Sequence, residues 1–333
     1  MMAIDPLVLA ASLVVAAAFL CGVVVVVWWV DRYDREPWPL VLGVFLWGLV
    51  VAPALVTATW AIIGASGSLG ESFTLVPVIE ELAKGLVLVL VVLFSEHFDN
   101  PTDGLVYGTA VGLGFAVAEN TLIGLWSVSH LGGAGVLSLI AGRTLFSAGV
   151  HALASSAVGA GLGFGRVAGS RVRSMGWFLL GLVVAVGLHA GWNLGVVSLP
   201  SEPGWLPLAT VLGPLYLLYV ASFAVMLWGE HRILVKELSD EVGLGVLPPW
   251  AARVIPYYRR RVRSDWWPSR QERIVISRLL TRLAFRKHAL AARGDSANIE
   301  GLEIVSLRAR LQTILGEPET NDLPDDPPLT ADI

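Results

Sequence analysis

An all-α, polytopic membrane bundle of about seven transmembrane helices, followed by a cytoplasmic C-terminal tail, is the fold class this sequence predicts. Three observations predict it. Of the 333 residues, 55% are hydrophobic and only 15% charged, which is more apolar than a soluble domain needs. The apolar residues fall in runs of the roughly 20 residues that cross a bilayer. Lys and Arg gather in alternate loops between those runs, as the positive-inside bias requires.

The first run, 7–30, has no Lys or Arg before it and is too long for a signal peptide. Cys21 follows Leu20 rather than a small residue, which argues against a lipoprotein cleavage site, so the run is read as a retained span. Cys21 is also the single cysteine, excluding an intrachain disulfide and a cysteine-rich metal site. Further runs at 38–64, 75–94, 103–126, 134–164, 175–198 and 206–229 complete the seven. Trp28, Trp29, Trp38 and Trp60 fit interfacial belts. Gly159, Gly161, Gly163 and Gly165 suit close helix packing. Arg32 and Arg35 follow the first run, Arg166, Arg171 and Arg173 follow the fifth, and the tail is Arg-rich. The loops near 65–74, 127–133 and 199–205 hold no Lys or Arg. The expected location is the cell membrane, with the N-terminus outside and the C-terminus cytoplasmic. The loop at 95–102, with Glu96, His97 and Asp99, gives that orientation no support of its own.

Chemistry enters through the polar residues inside these runs. A charge in hydrocarbon costs about 3 kcal/mol or more, so Glu80, Glu81, Lys84, Glu119, Asn120, His151, His189 and Asn193 are expected to meet in one intramembrane site. Counted along the predicted spans at about 1.5 Å per residue, the carboxylates, His189 and Asn193 share an outer layer. His151 lies deeper, with Arg143 and Ser147 on its face at four-residue spacing. The same interval lets Glu80 pair with Lys84, and it recurs in Phe115–Glu119 and His189–Asn193. Glu81 points about 100° away from Glu80.

A carboxylate in an apolar cavity suits a general base acting on water. A neighbouring imidazole suits a donor to an oxyanion or a proton shuttle, with Asn193 holding the tautomer or adding a donor. Such a set supports amide hydrolysis without a cofactor. The same residue types also suit a divalent metal such as zinc, with ligands drawn from Glu80, Glu81, Glu119, His151 and His189, although the HExxH arrangement is absent. Structural readings stand beside these: a Glu80–Lys84 ion pair between helices, Arg143 as partner of Glu119, and His151 as a helix–helix hydrogen bonder.

The motif order Glu80-Glu81-Leu82-Ala83-Lys84, Phe115-Ala116-Val117-Ala118-Glu119-Asn120 and His189-Ala190-Gly191-Trp192-Asn193 resembles the PrsW family of intramembrane proteases. Asp31-Arg32-Tyr33-Asp34-Arg35-Glu36-Pro37, Asp103-Gly104-Leu105-Val106-Tyr107-Gly108 and His151 fit the same pattern. The family is related to the CAAX prenyl endopeptidases and bacteriocin-processing enzymes. The resemblance implies a peptidase that trims a single-pass membrane protein, typically an anti-sigma factor, on its extracytoplasmic side, with a glutamate activating water. By position, Glu80 and Glu81 supply the base and its support, Glu119 assists, and His189 takes the oxyanion or proton-transfer role. His151 and Asn193 complete the catalytic set, supported by Lys84, Asn120, Arg143 and Phe115. Asn193 departs from members with Asp there, since Asn orients a histidine only by hydrogen bonding. Two other readings remain open. One is a non-catalytic scaffold or sensor; the other is a proton-coupled transporter, for which the expected inverted repeats are not visible.

The expected domains are a transmembrane peptidase-like region at 1–230, a basic amphipathic cytoplasmic segment at 231–316, and an acidic, Pro-rich disordered tail at 317–333. Residues 253–293 carry twelve Lys/Arg against Asp265 and Glu272, with Tyr257, Tyr258, Trp266 and Trp267 interleaved. Ile274, Ile276, Leu279, Leu280, Leu283 and Phe285 outline an apolar stripe. An anionic lipid surface is the expected partner of this segment; nucleic acid has no recognition motif here.

Overall fold

The computed structural model describes residues 5–64, 68–168, 170–198, 205–263, 266–293 and 298–316, so the expected acidic tail at 317–333 lies outside the described residues. In chain order the helices are α1 (Pro6–Val30), α2 (Trp38–Leu46), α3 (Ala52–Ile63), α4 (Leu69–Phe73), α5 (Leu75–Phe94), α6 (Pro101–Ser127) and α7 (Gly133–Gly142). Then follow α8 (Ala148–Val167), α9 (Arg171–Ser198), α10 (Trp205–Gly243), α11 (Pro249–Val254), α12 (Tyr258–Arg261), α13 (Arg270–Arg293) and α14 (Asn298–Leu315). Wide π-helical turns at Trp47–Val51 and Arg143–Ser147 join α2 to α3 and α7 to α8. No strand occurs among the described residues.

Helix starts follow the sequence. Asp5 accepts from the Leu7 amide at 2.7 Å with Pro6 next to it, and Asn100 with Asp103 forms a capping box before Pro101, satisfying amides that a first turn leaves without carbonyls. Among the described residues, six helices are long and apolar enough to cross a membrane: Pro6–Val30, Trp38–Ile63, Pro101–Ser127, Gly133–Val167, Arg171–Val196 and Leu212–Gly243. The seventh expected span is α5, a 20-residue helix that carries Glu80, Glu81 and Lys84.

The chain divides into two compact units, one of Met1–Asp31 and Arg35–Met226, the other of Arg32–Asp34 and Leu227–Ile333. In the first, α6 is the central helix and α8 lies antiparallel against it. A methyl group at Gly104 would overlap the Gly159 carbonyl, and one at Gly163 would meet Asn100 and Pro101. Two residues on, Gly161 and Gly165 face Trp177, Gly181 and Ser174 of α9 instead. Alternate glycines therefore give α8 two thin faces, and α6 and α9 close on opposite sides. Tyr107, Val106, Ala110, Val111, Leu88 and Val41 fill the core, while Val14, Leu122, Val183 and Leu217 are exposed, as suits lipid-facing positions.

A carboxyl cluster ties the loop after α1 to the start of α6. Glu36 is buried, accepts from the Tyr107 hydroxyl and hydrogen-bonds Asp103. Asp103 Oδ2 already accepts from the amides of Asp99 at 2.6 Å and Asn100 at 2.8 Å, which favours the ionised form there. Burial, and next the Asp103 carboxylate, raise Glu36 above the usual carboxylate range. A raised carboxyl contributes its full stability below the unfolded pKa and loses it as pH rises toward the folded value. Glu36→Gln, which keeps a donor for Asp103 and an acceptor for Tyr107, is expected to stabilise the protein more at pH 9 than at pH 5. Thermal unfolding of both proteins at the two pH values checks this; an equal offset contradicts it.

The second unit has its own core of Leu234, Leu238, Ile255, Ile276, Leu280, Leu283 and Leu311. Glu241 binds Lys287 and Arg308, each at 2.6 Å, and Glu303 binds Arg282 at 2.6 Å. Ile276, Leu279, Leu280 and Leu283, most of the stripe expected on an amphipathic helix, are thus spent on the unit's own core.

Candidate active site

Six ionisable side chains from four helices meet in the first unit. Glu80, Glu81 and Lys84 come from one turn of α5, Glu119 from α6, His151 from α8 and His189 from α9. Lys84 Nζ lies 2.5 Å from Glu81 Oε1 and 3.1 Å from His151 Nδ1. It also stands 4.5 Å from the centre of the Phe115 ring. The sequence expectation paired Lys84 with Glu80 at i,i+4; the ammonium instead takes Glu81 at i,i+3, where His189 and His151 complete its surroundings.

The hydrogen bonds fix both imidazoles. An ammonium only donates, so His151 Nδ1 accepts from Lys84 and its Nε2–H donates to Glu119 Oε2 at 2.7 Å. Glu81 Oε1 accepts from Lys84 and from His189 Nδ1 at 2.9 Å. His189 therefore turns an unprotonated Nε2 toward Glu80 Oε2, 3.7 Å away. Glu80 Oε2 is buried and has no hydrogen-bond partner among the described residues. Two lone-pair-bearing atoms face each other there, an arrangement that a donating water, a proton or a cation between them satisfies.

His151 was expected deeper than the carboxylates. Its backbone does lie beside Gly112, seven positions from Glu119 along α6. Side chains lean toward the N-terminus of their own helix, and because α6 and α8 are antiparallel, Glu119 and His151 lean toward one another and close that gap. Arg143 Nη2 holds Glu119 Oε2 at 2.7 Å and Arg143 Nε donates to Asn120 Oδ1 at 3.0 Å. Glu119 and Arg143 are 26% and 18% exposed at their side chains, whereas Glu81, Lys84, His151 and His189 are at most 4% exposed. The site therefore opens on the Glu119–Arg143 side. Asn193 is half-buried one turn beyond His189 on α9.

Both wide turns touch this machinery. Trp47, in the first, donates from its indole to the Ala83 carbonyl at 3.0 Å, on the turn that bears Glu80, Glu81 and Lys84. Arg143 opens the second, whose Leu145 and Phe146 carbonyls accept from the Tyr216 hydroxyl of α10 at 3.1 Å each. Tyr216 fits over Gly149, where a methyl would overlap its ring. The sequence reading passed over Trp47 and Tyr216. For Trp47 a signal existed, since an indole in mid-span needs a buried acceptor.

Donor atoms of Glu80, His151 and His189 lie within 4.8 Å of one another. One carboxylate and two imidazoles are a zinc-type donor set. Each imidazole also has a carboxylate behind it, Glu81 for His189 and Glu119 for His151, the outer support that metal-bound histidines use. The residues fit a divalent metal, provided that His151 Nδ1 exchanges Lys84 for the ion. Glu81 and Glu119, expected among possible ligands, serve as the supports.

A family profile described as "PrsW family intramembrane metalloprotease" matches residues 36–227. "Protease PrsW" of Bacillus subtilis (strain 168) is 31% identical over 202 residues, spanning 60% of this chain and 82% of that protein. "Protease PrsW" of Geobacillus kaustophilus (strain HTA426) is 34% identical over 226 residues, spanning 66% and 88%. No solved structure matches the chain.

Proposed function

The chain belongs to the PrsW family of intramembrane metalloproteases, and from that premise we propose that it hydrolyses a peptide bond of a single-pass membrane protein, such as an anti-sigma factor, with water activated by Glu80. The observation that supports this reading is the pairing of Glu80 Oε2, buried and without a hydrogen-bond partner among the described residues, with His189 Nε2 at 3.7 Å. Glu80 takes the proton of the attacking water, and the fixed orientation of His189 places Nε2 to receive or return a proton at the scissile amide. Glu81 holds the His189 tautomer, and Lys84 compensates the Glu81 charge. Glu119 and Arg143, at the open side, meet the entering chain. Asn193 adds a donor near His189. In a metal-bound form Glu80, His151 and His189 would instead be ligands of a divalent ion, which would supply Lewis acidity to a carbonyl or a bound water in place of these proton transfers.

The proposed orientation puts the N-terminus outside and the C-terminal unit in the cytoplasm, from the Lys/Arg distribution, with α5 as the seventh span. Comparison of membrane proteomes with and without the protein tests the function: one single-pass species is expected to lose its truncated form in the absence of the protein. An unchanged set of truncated species counts against it. With that substrate in proteoliposomes, chelation is expected to abolish cleavage and zinc to restore it; cleavage indifferent to chelator removes the metal from the account and leaves Glu80 as the base.

A further inference from the structure

Two stretches of chain leave the bilayer into the C-terminal unit, and contacts inside that unit gather one cationic segment at both exits. Arg32–Asp34 belong to this unit and follow the last apolar residues of α1, Trp28–Val30, after the single residue Asp31. At the other exit, His231 comes after Glu230, past Trp228 and Gly229 at the end of the apolar stretch of α10. Tyr33 OH lies 3.4 Å from His231 Nδ1, and the Tyr33 carbonyl accepts from Arg261 at 3.1 Å. The Arg32 guanidinium sits 5.4 Å from the centre of the Tyr258 ring, and His231 Nδ1 lies 3.0 Å from the Pro256 carbonyl. Residues 256–261 therefore pack on residues that stand two or three positions beyond two apolar spans. A few positions are on the order of 5 Å of chain, within the polar headgroup layer of a bilayer.

Several of the twelve cations of 253–293 are held inside the unit. Arg282 and Arg286 are bound to Glu303, and Lys287 to Glu237 and Glu241. Arg261 and Arg273 donate to Tyr33, Thr281, Trp267 and Pro268 inside the unit. While the exposed Arg270 and Arg278 stand singly along α13, Arg253, Arg259, Arg260 and Arg263 are exposed within eleven residues, Arg260 also donating to the Arg253 carbonyl at 3.0 Å. Tyr257 and Val262, 42% and 60% exposed, lie among them. Exposed guanidinium groups interleaved with an aromatic and an aliphatic side chain, at headgroup depth, match an anionic lipid surface in charge and in polarity. Guanidinium groups bind phosphate oxygens through paired N–H donors, while Tyr and Val enter the interface beside them.

We propose that residues 253–263 form a binding surface for anionic phospholipid headgroups, and that this short segment, rather than the stripe of α13, holds the C-terminal unit to the membrane. The surface is independent of the hydrolytic reading of the site. The full chain in nanodiscs of phosphatidylcholine alone, and of equal parts phosphatidylcholine and phosphatidylglycerol, tests it by hydrogen–deuterium exchange. Peptides covering 253–263 are expected to exchange about tenfold more slowly in the anionic discs. High salt is expected to remove the difference, as is the variant Arg253→Gln/Arg259→Gln/Arg260→Gln/Arg263→Gln. Peptides from the buried face of α13 report whether that variant keeps its fold. Equal exchange in both lipids overturns the proposal. So does protection of the same peptides by duplex DNA in phosphatidylcholine discs, which assigns the surface to nucleic acid instead.

Discussion

Glu80→Gln is expected to lower substrate cleavage by roughly 10²–10⁴-fold, the contribution of a positioned acid–base group, with little change in stability. The amide has the shape of the carboxylate but cannot take a proton from water. Glu80 Oε2 has no hydrogen-bond partner among the described residues, so the exchange breaks no described bond at that atom. Glu81→Gln is a different experiment, because it leaves the buried Lys84 without its counter-charge and weakens the acceptor that Lys84 and His189 share. A turnover number measured in proteoliposomes beside an unfolding curve separates the two. Glu80→Gln cleaving at the wild-type rate sinks the base assignment.

Lys84→Met carries the largest expected cost in stability. Lys84 and Glu81 are both fully buried at 2.5 Å, and removing one partner of such a pair costs about 3–5 kcal/mol because a buried charge is left behind. Met keeps the length of the stem and the contact with Phe115. Adding Glu81→Gln to Lys84→Met removes the stranded carboxylate, so the double variant is expected to recover much of the stability. Cleavage is not expected to recover with it, since His189 then lacks the carboxylate that orients it. Unfolding in bicelles, read as a double-mutant cycle, tests the pair. Strictly additive losses contradict it.

Much of this architecture was legible in the sequence because hydrocarbon penalises charge so heavily. The apolar runs mark the spanning helices, and their rare polar residues mark the interior. Where α5 failed a count by apolarity, the failure itself was informative, since the three charges that disqualify it are the site. Pairing inside the site was less legible. Positions three and four residues apart share a helix face, and the choice of Glu81 over Glu80 by Lys84 depends on His189 and His151, which arrive from other helices. The wide turns left no compositional trace, as one extra residue per turn needs no special residue type. Trp47 and Tyr216 acquire their roles from those turns. On α13 the stripe of Ile276, Leu279, Leu280 and Leu283 was visible, but periodicity does not distinguish a lipid surface from a protein core. The answer depended on Leu234, Leu238 and Leu311, which pack beside it.

Convergence of separate helices on one aqueous pocket is the claim on which the hydrolytic account rests, and it is open to a chemical measurement that needs no substrate. The chain has a single cysteine, Cys21, so Cys21→Ala gives a clean background for thiol chemistry. Glu80→Cys with His189→Cys is expected to be bridged by the shortest bifunctional thiosulfonate added from water, yielding a cross-linked peptide of α5 with α9 by mass spectrometry. Glu80→Cys with Val183→Cys, on the exposed face of α9, is expected to give none. Thiols at positions 80 and 189 that each react singly but never bridge would contradict the shared site.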